Sequence, residues 1–192
     1  MKRMKVLFGQ RRVMVLVTLT ILVLAAAALV ASSASFTSTS ANPSNVFTAG
    51  NLSHTNSKDG SAILTASLMK PGDTKTGTVI ITNTGDIGGA FTLKQSSMSN
   101  GAGTPSFGSY LTLTIVDQTT GIQVYPTLPA TAGPLNGIPV AGISLGNFAS
   151  GAPHTFVFTV KFPDGGVDAS GVGKDNQYMT ATASCTFNWV NQ

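Results

Sequence analysis

The amino-acid sequence predicts an all-β domain, a two-sheet β-sandwich, standing behind a single N-terminal hydrophobic helix. Three observations carry this. Apolar and polar residues alternate with period 2 in several short runs, as they do where successive side chains of a strand point to opposite faces. Clusters of Pro, Gly, Asn and Asp punctuate those runs with turn chemistry. Beyond residue 34 the chain holds no Arg and no Glu and is rich in Thr, Ser, Gly and Asn, which disfavours helix and suits strands and turns.

The helix comes first. Lys2, Arg3, Lys5, Arg11 and Arg12 stand without an acid among them, and residues 13–31 are apolar apart from Thr18 and Thr20. A charged stretch followed by an apolar one is the pattern of an export signal. Ser32-Ser33-Ala34 supplies the small residues a signal peptidase requires, with the cut between Ala34 and Ser35, so that residues 1–34 form the signal peptide. The apolar run also approaches the roughly 20 residues that span a bilayer, which leaves an uncleaved anchor as the alternative. In both cases the basic flank stays inside and the rest of the chain lies outside the cytoplasm, secreted or on the cell surface.

Loss of this segment reverses the charge. The full chain carries a formal net charge of +4, but residues 35–192 hold six Lys against seven Asp and so carry −1. The basic balance belongs to targeting, and no nucleic-acid partner is expected. Residues 46–192 suffice for one core and one domain. Cys185 is the single cysteine and cannot close an intrachain disulfide, so stability falls to that core.

Residues 35–45, rich in Ser, Thr and Asn, read as an extended N-terminal segment, and the first strand is expected at 46–52. Ala62, Leu64, Ala66 and Leu68 then alternate, predicting a strand over 62–68. Lys70-Pro71-Gly72-Asp73 follows as a type II turn, Pro presetting the first dihedral and Gly supplying the positive φ, with a strand over 76–82 after it. Asn83-Thr84-Gly85-Asp86 turns the chain into a strand at 90–95 with Phe91 and Leu93 on one side. Four strands so connected predict a meander or half a Greek key.

Further on, Leu111, Leu113 and Ile115 alternate with Thr112 and Thr114, and Thr119-Thr120-Gly121 returns the chain into 122–125 as a hairpin. Residues 126–153, rich in Pro, Gly and Ala, read as a long surface excursion holding one short strand at 143–146. Phe156, Phe158, Val160 and Phe162 alternate with Thr155, Thr159 and Lys161. From Met179 the odd positions, through Ala181, Ala183, Cys185, Phe187 and Trp189, make a dry face against Thr180, Thr182, Ser184, Thr186 and Asn188. Cys185 on that face reads as a small buried hydrophobe. Eight or nine half-dry strands are buried most economically in two packed sheets.

No catalytic constellation stands out. His54 and His154 are a hundred residues apart in polar contexts and read as surface residues. A helical zinc protease needs two His four apart with a Glu between them, and the chain has no Glu. No strained G-x-S-x-G elbow occurs. Asp59, Asp73, Asp86, Asp164 and Asp175 sit beside turn formers, where Asx turns account for them. Asp164, Asp168 and Asp175 could gather oxygen ligands for calcium, although their spacing matches no standard loop. No cofactor and no catalytic or metal-binding residue is expected.

Taken together, Ala34-Ser35-Phe36, the run Val46-Phe47-Thr48-Ala49-Gly50-Asn51-Leu52, the stretch from Met69-Lys70-Pro71-Gly72-Asp73 through Asn83-Thr84-Gly85, and Asn176-Gln177-Tyr178 running into Phe187-Asn188-Trp189 follow a known order. The chain resembles the TasA/camelysin (CalY) group of secreted bacterial proteins. The resemblance implies a jelly-roll sandwich, export through a dedicated signal peptidase and, for the TasA branch, fibres of the biofilm matrix. The camelysin branch carries a metallopeptidase label, from which this chain departs in lacking Glu and paired His. The expected function is a structural protein of the cell surface or matrix, with itself or other surface components as partners. Residues 35–45 would add as a donor strand to a neighbour, with Phe36 as the side-chain anchor. An extracellular metallopeptidase, or a monomeric adhesive module using 126–153, are the alternatives.

Overall fold

A computed structural model of the protein describes residues 2–31, 44, 46 and 48–192. Lys2–Ala31 forms one helix, α1, of 30 residues. At 1.5 Å per residue that is about 45 Å of helix. Its window Gln10–Ala27 has a mean hydropathy of 1.7 and none of it is buried. Thr18 and Thr20 donate their hydroxyl protons to the carbonyls of Met14 and Leu16, so both polar side chains are satisfied within the helix. By length and composition α1 fits a signal sequence or a membrane anchor. Ala34, Ser35 and Phe36, on which the cleavage and strand-donor assignments rest, lie outside the described residues.

Residues 48–192 form a separate compact unit. Its strands are β1 (His54–Asn56), β2 (Thr74–Asn83), β3 (Gly89–Ser99), β4 (Thr112–Asp117), β5 (Ile122–Tyr125), β6 (Gly133–Pro134), β7 (Ile143–Phe148), β8 (Pro153–Lys161) and β9 (Ser184–Asn191). They make two antiparallel sheets, one ordered β1-β2-β8-β4-β5 with β6 also on β4, the other β7-β3-β9. Strand β8 is the spine of the first sheet, pairing with β2 from Thr74↔Lys161 to Thr82↔Pro153 and with β4 from Thr112↔Lys161 to Asp117↔Phe156.

The alternation seen in the sequence builds the space between the sheets. Val79 and Ile81 of β2, Leu113 and Ile115 of β4, and Phe156, Phe158 and Val160 of β8 are buried on one side. Phe91 and Leu93 of β3, Phe148 of β7 and Trp189 of β9 are buried on the other. Phe156 meets Trp189 with ring centroids 4.9 Å apart, and Phe158 meets Phe187 at 4.8 Å. Each such side chain taken fully from water contributes about 1.5–3 kcal/mol.

Several expectations need correction. The predicted meander is absent, because β2 and β3, although consecutive, belong to different sheets. The Asn83–Asp86 cluster is a corner that carries the chain across the sandwich, not a hairpin. The described residues among 46–52 form no strand: Val46 is 81% and Leu52 41% exposed. Extended chain there is tied to the corner instead, since Asn51 O accepts from Asp86 N at 3.2 Å and Ser53 O from Thr84 N at 3.0 Å.

Residues 62–68 are not a strand either. Ile63 and Leu64 both pack against the core, although they are neighbours, which a two-residue period forbids, and Leu68 is 99% exposed at a φ of 52°. This stretch crosses over Gly77 of β2, where a Cβ would stand 2.2 Å from the Ile63 carbonyl oxygen. The excursion at 126–153 is tied into the fold: it supplies β6, β7 and the buried Leu135, Ile138 and Phe148. The last strand begins at Ser184, five residues later than the alternation suggests. Met179 is 72% exposed at the end of a 3-10 turn, Lys174–Tyr178, and Thr180 has a φ of 64° that a strand cannot continue through.

Candidate functional site

Among the described residues, β9 pairs with β3 on one side only, so its other edge presents unpaired backbone. Beside that edge a groove opens between the sheets, a cavity of about 1280 Å³. Leu113, Phe158, Val160 and Phe162 floor it from the first sheet, and Cys185 and Phe187 wall it from β9. Residues 62–69 border it opposite β9. Burial raises the Cys185 thiol pKa above its ordinary value, against an opposing hydrogen bond from Gln95. An apolar groove next to a free sheet edge can accept an extended segment, main-chain hydrogen bonds supplying affinity and alternate side chains supplying specificity.

The turn residues at 70–73 and 83–85 hold this frame. Gly72 has a φ of 91°, Asp73 N donates to Lys70 O at 3.0 Å, and the Asp73 carboxylate accepts from Lys70 N at 3.1 Å, a type II turn as expected. Gly72 N then donates to Phe162 O at 2.8 Å, pinning the turn to the end of β8. Asn83 is fully buried. Its Nδ2 donates to Ile87 O and Phe148 O, each at 2.9 Å, and its Oδ1 accepts from Gly85 N at 3.0 Å. Gly85 is needed there, because a Cβ would lie 2.4 Å from Asn51 O.

The two histidines are half-buried, not surface residues. His54 stands edge-on to Phe91 at 5.6 Å, and His154 stacks on Phe148 at 3.7 Å. His154 Nδ1 is 2.8 Å from Oδ2 of Asp117, and Oδ1 of that buried carboxylate accepts from Thr119 N at 2.9 Å. Sequence reasoning passed over this pair, because 37 residues separate its members and only the β4–β8 register brings them together. An Asp–His pair is two parts of a nucleophilic triad, but among the hydrogen bonds of the described residues no hydroxyl joins the His154 ring.

At the far end of the sandwich, Asp175 is buried and accepts from the Tyr110 hydroxyl at 2.6 Å and from Gly165 N at 2.8 Å. That hydrogen bond, then burial, then the negative charge of Asp175, push the Tyr110 pKa up to about 12. Burial and the same carboxylate raise Tyr178. Asp164 accepts from Gly166 N, and Asp168 from Ser170 N and Val172 N, so the three acids considered for calcium each cap a loop donor. Among the described residues no three His, Cys, Asp or Glu side chains are grouped so as to hold a metal ion.

No protein-family model matches this chain, and no curated protein matches it in sequence.

Proposed function

We propose that this protein is an exported structural subunit of a bacterial cell surface or biofilm matrix, built on a jelly-roll sandwich and assembling into fibres by strand addition. The observation that carries the reading is the free edge of β9 beside an apolar inter-sheet groove. A jelly roll has eight strands in two sheets. Here the first sheet holds six strands, β1-β2-β8-β4-β5 with β6 on β4, and the second only the three of β7-β3-β9, with the outer edge of β9 unpaired. An unpaired edge of this kind is a template for a strand from another chain. The donor is residues 35–45 of a second copy, a polar, extended sequence with Phe36 to anchor in the groove. Export through residues 1–34, with cleavage before Ser35, frees that segment.

The test is electron microscopy of the purified protein with and without residues 35–45. Filaments from the unmodified protein and none from the deletion variant are expected. Equal assembly by both, or no filaments from either at high concentration, defeats the proposal.

A further inference from the structure

Among the described residues, no backbone N–H or C=O of 62–69 has a hydrogen-bond partner, and the outer edge of β9 has none from another strand. Ile63, Leu64 and Met69 pack against the core, while Ala62 and residues 65–68 are exposed, so the stretch rests on the groove without being fixed in it. Both stretches border the same groove. We propose that residues 62–69 are a strap that closes the groove by pairing antiparallel with the free edge of β9, and that a strand from a second copy must displace it to assemble.

Direction follows from packing. Phe158 meets Phe187 and Phe156 meets Trp189, so β9 runs opposite to β8 and therefore alongside β2 in the same sense. The strap feeds into the start of β2 through the Lys70–Asp73 turn, which Gly72 N fastens to Phe162 O at 2.8 Å. A segment arriving at that end must run against β9. Its other end is held as well, since Ser57 N donates to Ile80 O of β2 at 2.9 Å and Ser61 N to Lys58 O at 2.9 Å. With both ends held, closure costs little loop entropy.

Length and pattern agree. Eight extended residues reach about 26 Å, enough to run beside the groove-lining part of β9. Ala62, Leu64, Ala66 and Leu68 alternate with Ile63, Thr65, Ser67 and Met69, which places one set toward the groove once the strap lies in register. The crossing over Gly77 is the hinge: a glycine there lets the chain approach β2 at Ile63 and leave again toward β9. The displacement half of the proposal rests on the strand-addition reading. Closure itself does not.

Cys185 makes the strap testable, because it is the chain's only cysteine and lies on β9 in the groove. Cysteine is introduced singly at positions 63 to 67, and the unassembled full chain is oxidised with copper phenanthroline. Intramolecular disulfide is expected to form at alternate positions, about tenfold faster than at those between, since bridging demands close Cα atoms and converging Cβ vectors. A flat profile, or no cross-link, overturns the strap. Should the variants misfold, amide exchange on the unaltered chain decides it: alternate amides of 62–69 slowed at least about tenfold against the same amides in urea-unfolded chain support closure, and equal rates overturn it. For displacement, the cross-linked protein should form no filaments until reduced, and filaments from the locked form overturn gating. Absence of filaments from the unmodified protein defeats strand addition and gating together, while the cross-link pattern still decides the strap.

Discussion

Replacing Asn83 by alanine strands two buried backbone groups and one part-exposed carbonyl at the corner between the two sheets. The side chain is fully buried, donates to Ile87 O and Phe148 O at 2.9 Å each, and accepts from Gly85 N at 3.0 Å. Each buried polar group left without a partner costs about 1–3 kcal/mol. Carbonyls keep a second lone pair and the neighbouring Ile87 is exposed enough to admit water, so the lower part of that range applies to each and the total is about 3–5 kcal/mol. Set against about 5–15 kcal/mol for a whole domain, this is a large fraction. Urea unfolding followed by the fluorescence of Trp189, the single tryptophan, reads it directly. The midpoint should fall with the slope unchanged. Asn83→Asp separates hydrogen bonding from space filling: it keeps the volume but turns two donors into a carboxylate facing two carbonyl oxygens, so it should cost at least as much as alanine. A loss below about 1 kcal/mol for Asn83→Ala, or a near-neutral Asn83→Asp, would refute the assignment of this motif residue to corner closure.

Two further outcomes follow from the buried titratable groups. All three tyrosines, Tyr110, Tyr125 and Tyr178, hold their phenolic protons more tightly in the folded chain than the ordinary value of 10.0, Tyr110 up to about 12. The unfolded chain releases these protons near pH 10, so this share of stability is whole below pH 10 and is lost as pH rises toward 12; phenolate absorbance titrating at pH 10 in the folded protein would contradict it. The Cys185 thiol, raised by burial, should react with an aromatic disulfide reagent at pH 8 at least about tenfold more slowly in the native protein than in urea, and equal rates would show the residue to be open to solvent.

Strands were legible where one face is dry along their whole length. Phe156, Phe158 and Val160 are inward on β8, and Leu113 and Ile115 on β4, because there burial and alternation coincide. The type II turn at Lys70–Asp73 was equally plain, since Pro and Gly fix its dihedrals locally. Sheet membership was not legible. Asn83-Thr84-Gly85-Asp86 has hairpin composition, and only long-range bonds from Asn83 to Phe148 O make it a corner. Alternation at 62–68 misled because its apolar residues answer a groove and not a completed sheet. Buried Leu135 and Ile138 went unnoticed among the prolines and glycines around them, where no period marks a dry face. The Asp117–His154 pair depended on register alone.

Many of the polar side chains are already committed to partners within the chain. Asp117 holds His154 and a loop amide, Asp175 holds Tyr110 and a loop amide, Asp164 and Asp168 cap their own turns, and Asn83 closes a corner. Groups bound this way position chain. Among the described residues, hydrogen-bonding capacity stays open at Trp189 Nε1, at Asn191 Oδ1, in residues 62–69 and along the outer sheet edges, of which that of β9 borders the apolar groove. Backbone pairs with backbone, and the apolar groove between these two stretches rewards whichever extended segment brings alternating apolar side chains. On the strand-addition proposal, the choice between a segment of the same chain and one from a neighbour is set by effective concentration: a tethered strap wins in dilute protein, and a second copy gains as its concentration rises. Assembly by such a domain should therefore depend steeply on protein concentration, with a threshold that shifts downward in any variant whose strap is held away from β9.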